Sequence, residues 1–382
     1  MIKVDRVAFR GFRRLREVEV QARPFMVLVG ANGIGKTSLL DAISLLSSSA
    51  SGRLNSTLSE MKGIASLLTR GKSDALGLAV DMTVPGQQPL KYEIDLVPSG
   101  NSYTIAREVL AQDQGRPNLF KHIDSERSSI RYFDPETRAL VRPTWEHDPH
   151  ESSLAQVPKM YRLPEELRRI LATVSHYHVL DVGHSAPVRL PQPFRPSTLP
   201  GDDGRELVSC LYTLRESDRG RYETVIDSLK AAFPAFQELA FPPVASGMLT
   251  MTWKDSSFNS PIYVHELSEG ILRFLWLVVL LQSPNLTAFT MIDEPEVSLH
   301  PELLSLLAQL MREASERTQL IVATHSDRFI RFLKPEEVLV MDLDEDGCAT
   351  ATWADSLDLD QWLADYSLDE VWRMGRMGGR SL

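Results

Sequence analysis

Eight residues near the N-terminus narrow the choice of fold sharply. Gly30-Ala31-Asn32-Gly33-Ile34-Gly35-Lys36-Thr37 fits G-x-x-x-x-G-K-[ST] at every fixed position. Its flanks fit as well. Phe25–Val29 is an unbroken apolar run, the mark of a strand covered on both faces, and Ser38–Leu46 spaces its apolar residues like a helix. A strand, a glycine-rich turn and a helix in that order point backbone N–H groups and the positive end of the helix at one spot, which suits a phosphate. Lys36 is then expected to reach the β- and γ-phosphates of ATP and the Thr37 hydroxyl to bind Mg2+. Gly30, Asn32, Gly33, Gly35 and Ser38 complete the cradle.

The last third of the chain alternates helix (269–282, 301–316, 326–333) with strand (287–292, 318–323, 336–342), a rhythm that predicts a mainly parallel sheet covered by helices. The apolar run Thr287–Ile292 delivers Asp293 and Glu294 to a strand's C-terminal end, where such sheets bind ligands. Asp293 is expected to hold Mg2+ through its hydration shell, and Glu294 to orient and deprotonate an attacking water. An acid pair at a strand end is common; the upstream loop gives this one its weight. The next strand, Leu320–Thr324, ends in His325, where a γ-phosphate sensor would stand. Leu267-Ser268-Glu269-Gly270 precedes an apolar helix; Ser268 suits an N-cap whose free N–H groups face an anion.

The middle is less legible. Residues 2–9 and 17–29 read as strands, 47–75 as a loop with a mobile helix, and 76–110 as a three-strand meander broken at Pro85–Pro89 and Pro98–Asn101. Residues 111–165 are polar and interrupted by proline. A short helix (164–174), a strand (176–182), a proline-rich connector (183–204), helices over 204–217 and 219–232 and strands near 236–241 and 248–253 follow. His147 and His150, or His176 and His178, have a spacing that metals use. With no acid or cysteine cluster beside them in sequence, they read as ordinary residues. Asp342–Gly347 reads as a hairpin rather than a metal cluster.

The 382 residues, 43% of them hydrophobic, suffice for two to three domains at about 150 residues each. Cys210 and Cys348 stand far apart without CxxC spacing, so neither a disulfide framework nor a cysteine zinc site is expected. No run of about 18 apolar residues is present, and the first residues lack the apolar core of a signal peptide. No membrane contact and a cytoplasmic location are therefore expected. The net charge of −10 argues against non-specific nucleic-acid binding. However, residues 1–23 hold seven bases against three acids, whereas 341–370 hold ten acids and no Lys or Arg. A basic patch can thus coexist with the acidic total, although both ends read more simply as solvated faces.

Together the phosphate loop, LSEG, IDEP and ATHS resemble an ABC-type ATPase head of the RecF, SMC and OLD kind. LSEGILR stands where that family has its signature motif. MIDEPEVSLHPELL is similar to its Walker B strand and D-loop, and IVATHSDRFI to its switch histidine. The wording is nearest to short standalone RecF/OLD-like bacterial ATPases of AAA type without a TOPRIM domain, and YSLDEVWRMGRMGG resembles their ending. The likeness covers about 1–50, 76–110 and 185–382 and is weak over 111–165.

The resemblance implies an α/β P-loop head with an antiparallel β meander and an inserted subdomain. The expected division is an N-terminal lobe (1–110), an insertion and connector (111–204) and a C-terminal lobe (205–382). It further implies an ATP-dependent homodimer in which Ser268 and Gly270 of one copy close on the γ-phosphate held by Lys36 of the other, and an Arg13 near the nucleotide. Glu269 replaces a commoner small signature residue, and a Q-loop glutamine cannot be placed; Gln87 and Gln88 lie in a turn. Two functions fit: an ATP-driven clamp on DNA in repair or phage defence, or a scaffold that holds and releases a separately encoded nuclease or toxin. The D-loop wording disfavours a transporter motor.

Overall fold

Both faces of the Phe25–Val29 run are in fact covered. In this computed structural model, which describes residues 3–115, 119–127 and 129–378, the run is the fourth strand of a six-stranded sheet. The order is Ser175–Tyr177, Phe289–Asp293, Gln319–Thr324, Phe25–Val29, Val338–Leu343, Ala349–Trp353. The first five strands are parallel and the last is antiparallel. Phe25, Val27 and Val29 face one core; Met26 and Leu28 face the other.

On one side lies the helix Lys36–Ser51 and, beyond it, an eight-stranded antiparallel sheet. On the other lie the helices Leu207–Ser217, Arg219–Ala232, Glu269–Gln282 and Leu303–Ser315. The result is the α/β architecture that the alternating pattern implies. The Gln319 carboxamide ties the two sheets, with its oxygen accepting from Val4 N and its nitrogen donating to Val4 O, each at 2.7 Å.

Several elements differ from the sequence reading. The strand expected over 17–29 is two strands in two sheets, Leu15–Gln21 and Phe25–Val29, parted at Pro24, which has no N–H to donate. The meander runs on through Phe120–Glu126, Tyr132–Asp134 and Ala139–Val141. The helix read at 164–174 spans Arg162–Leu171, and the strand read over 176–182 is only Ser175–Tyr177. The Asp342–Gly347 turn is a hairpin, and Ala349–Trp353 returns from it as a further strand. Residue 2 of the first expected strand and residue 379 of the motif-like ending lie outside the described residues. Among the described residues, no helix is long and apolar enough to cross a membrane.

Candidate functional site

The sheet sets the site by aligning strand ends. Parallel pairing matches Asp293 with Ala323, and Thr324 with Val29. Three loops therefore leave one edge of the sheet together: the glycine loop, the Asp293–Glu294 turn and the turn that carries His325.

The loop needs its glycines. A Cβ on Gly30 would lie 2.6 Å from the Met341 carbonyl oxygen, and Gly33 turns at φ +80°, a conformation that side chains disfavour. Gly35 starts the helix Lys36–Ser51 and, having no side chain, leaves the first-turn N–H groups uncapped. Asn32 and Thr37 are exposed, Gly35, Lys36 and Ser38 half-buried, and Gly30 buried. Lys36 Nζ donates to the carbonyls of Gly30 (2.6 Å) and Ala31 (3.0 Å). Burial lowers the Lys36 pKa, against the fields of Glu294, Asp293 and Glu296. The loop, the ammonium and the carboxylates thus make one electrostatic unit, a donor set that fits a phosphate chain with a hard divalent cation.

Burial raises the Asp293 pKa, Glu294 adds to the effect, and His178 and Lys36 oppose it. Glu294 has φ +48°, a left-handed conformation uncommon outside glycine, held by its N–H donating to the Ala323 carbonyl at 2.8 Å. Its Oε1 lies 3.0 Å from His325 Nδ1.

Behind this pair, Thr324 Oγ1 donates to Glu296 Oε1 and accepts from Ser326 N at 3.0 Å, which pins the histidine turn. Glu296 Oε2 is buried without a partner, and burial raises that carboxyl's pKa. Sequence reasoning passed over Glu296; its place two residues past the acid pair was the available signal.

Ser268 caps the helix Glu269–Gln282, its Oγ accepting from Ile271 N at 3.4 Å. Gly270 packs on its own chain's D-loop-like turn, where a Cβ would lie 2.8 Å from the Ser298 carbonyl oxygen. Arg273 Nη1 donates to Ser298 Oγ in the same contact. Arg13 donates to Asp41, on the phosphate-loop helix. Gln87 and Gln88 stay in an exposed turn.

The histidines read as ordinary divide. His147 and His150 lie away from this edge, in the turns after Val141. His176 and His178 do have an acid beside them in space: their ligand nitrogens and an Asp293 oxygen all lie within 4.8 Å of one another. The acid comes from the neighbouring strand, which no sequence window around residue 176 contains. Burial pushes the His176 pKa down to about 4, so its ring is neutral at ordinary pH.

The family described as "AAA domain, putative AbiEii toxin, Type IV TA system" matches residues 25–331. The chain belongs to this family. Its fold is shared with a crystal structure of an SMC head bound to the C-winged helix domain of ScpA. The two are 15% identical, over 92% of this chain and 97% of that one, with a TM-score of 0.58. A second match is the SMC head with an extended coiled coil bound to the C-terminal domain of ScpA derived from Pyrococcus furiosus. There the identity is 14%, over 98% of each chain, with a TM-score of 0.55. No curated protein matches the chain. Family and fold agree with the RecF/SMC/OLD resemblance: the chain is an AAA-family member with the fold of an SMC head.

Proposed function

We propose that this AAA-family member hydrolyses ATP as a homodimer and uses the cycle to hold and release a protein effector in defence. The observation that carries the reading is the Glu294–His325 pair at the sheet edge beside the Lys36 loop. Lys36 and the loop N–H groups hold the β- and γ-phosphates, with Gly30, Asn32, Gly33, Gly35 and Ser38 shaping the cradle. Thr37 and Asp293 would hold Mg2+, which when bound screens the phosphate oxygens. Glu294 takes a proton from water as the water attacks the γ-phosphorus, the bond to the β-phosphate oxygen breaks, and ADP and phosphate leave. His325 orients Glu294 and meets the γ-phosphate. Ser268 and Gly270 of a second copy complete the site. Arg13 acts through Asp41, steadying the loop's helix.

Clamping on DNA is the second reading, and charge pairing weakens it. Arg6 pairs with Glu19 and Asp81, Arg10 with Asp95, Arg16 with Asp344 and Asp346, and Arg23 with Asp355. The base-rich start is thereby largely neutralised, partly by the acid-rich stretch near the C-terminus, and offers phosphates little free charge. The family, described as a putative toxin of a type IV toxin–antitoxin system, and the ScpA domains bound by the SMC heads support a protein partner.

Turnover measured alone, with duplex DNA and with a co-encoded nuclease or toxin separates the readings. Stimulation by the protein alone is expected. A salt-dependent stimulation by DNA would replace the effector reading with the clamp, and no turnover under any condition would sink hydrolysis itself.

A further inference from the structure

His176 and His178 sit at alternate positions along and just past the edge strand, so their side chains share a face. Parallel pairing sets His176 beside Met291, which carries His178 level with Asp293. The two imidazole rings are 4.1 Å apart between centroids. His176 Nε2 is sealed from solvent with no hydrogen-bond partner, a costly state for a ring nitrogen. His178 is exposed. The fold thus brings together two imidazoles and a carboxylate, and one ring nitrogen of His176 is desolvated without a partner.

We propose that His176, His178 and Asp293 form a binding site for a divalent first-row transition ion such as Zn2+, sharing Asp293 with the nucleotide site. The donor set decides the class. Imidazole nitrogens suit zinc, cobalt and their neighbours, whereas Mg2+ prefers oxygen donors throughout. Donors about 2.0–2.2 Å from one ion stand roughly 3–4 Å apart, so a modest rotation of His178 closes the set found within 4.8 Å. Three protein donors leave a position open to water. Glu294 beside Asp293, and Asp41, which acts on both His176 and Asp293, add negative potential. Because Asp293 serves both sites, an ion held by the histidines draws it away from the nucleotide's cation and slows hydrolysis. That last consequence rests on the ATPase reading; the ion site does not.

The test uses the whole chain, free of any tag, stripped of metal and without nucleotide. Co2+ titration followed by visible absorption, and Zn2+ by calorimetry, should show one ion per chain that excess Mg2+ does not displace. His178→Ala, an exposed position that leaves the core untouched, should weaken binding by about tenfold or more, since even outer-shell partners of a metal are worth 10–100-fold. His176→Ala should do the same. Lys36→Ala, which removes a positive charge acting on Asp293, should bind the ion at least as tightly as the natural chain does while its affinity for ATP falls, which separates failure of this site from failure of the nucleotide reading. Binding that is unchanged in His178→Ala, or no preference for Co2+ and Zn2+ over Mg2+, overturns the proposal.

Discussion

His325 Nδ1 lies 3.0 Å from Glu294 Oε1, joining the turns that leave two neighbouring parallel strands. The Glu294 backbone is held left-handed at this contact, so the carboxylate's direction is fixed by its own φ and by the imidazole together. If Glu294 is the base, Glu294→Gln keeps its size and removes its proton acceptor. Turnover should fall about 10²-fold or more, with ATP binding retained and a dimer accumulating. His325→Ala should lower kcat more than it raises KM, because it frees the base and removes one γ-phosphate contact while the Lys36 loop still holds the nucleotide. Wild-type turnover in the Gln variant would remove Glu294 from the role.

Lys36→Ala removes a charge that faces several phosphate charges. A charge-assisted contact is worth about 1.5–3 kcal/mol, so ATP affinity should drop more than tenfold by calorimetry. Unchanged affinity would count against the phosphate-loop assignment.

Gly270 was expected to matter for a partner's nucleotide, yet its own chain already constrains it. A methyl there meets a backbone oxygen at 2.8 Å, and backbone cannot swing aside as a side-chain tip can. Gly270→Ala should cost about 1–3 kcal/mol, the usual range for overpacking, and lower the melting temperature even without ATP. A neutral substitution would show that the turn at Ser298 yields.

The placement of the candidate residues was legible wherever it is local in sequence. The phosphate loop, the acid pair and His325 each sit at the end of an apolar strand, and the parallel sheet brings those ends together. What depends on pairing between distant strands was not. His176 looked isolated because the carboxylate near it, Asp293, lies on the neighbouring strand, far away in sequence. The basic start looked free because Arg16 and Arg23 find their acids in the last fifty residues. The strands from Phe120 to Val141 gave no periodic signal because they are short and half-solvated at a sheet edge, with Ile123 and Tyr132 among their few buried apolar side chains.

Glu296 predicts a pH signature. Burial raises its pKa in the folded chain above the unfolded value. Its stability contribution is therefore complete below the unfolded pKa and is lost as pH rises through the folded one. Glu296→Gln keeps an acceptor for Thr324 and removes the titration. The variant's melting temperature should gain on the natural chain as pH rises above the ordinary glutamate value of 4.5, the difference growing until the raised pKa is passed. A constant difference would mean that the carboxyl titrates as it does in the unfolded chain.

Completion of the site by a second copy is the expectation most open to refutation. If Ser268 reaches across a dimer, Ser268→Arg blocks the contact with the γ-phosphate while leaving Lys36 intact. That variant should bind ATP yet neither dimerise on it nor hydrolyse it. Lys36→Ala is dead for the opposite reason. In a heterodimer of the two, one composite site collects both lesions and the other joins an intact Lys36 to an intact Ser268. Each heterodimer should then work at about half the natural rate, and an equimolar mixture with random pairing at about a quarter, if the two-fold-related sites act independently. Coupling between sites lowers both figures without bringing them to zero. Completion within one chain requires the reverse, since every chain then carries its own lesion and no mixture recovers. Mixed dimers seen by native mass spectrometry with no rise in turnover would therefore exclude the shared site. The charge of Glu269, one residue past Ser268, sets a limit on the restored rate, because a carboxylate near the γ-phosphate slows even an intact site. Glu269→Ala in the Lys36→Ala partner, which supplies the intact signature, should raise the recovered rate.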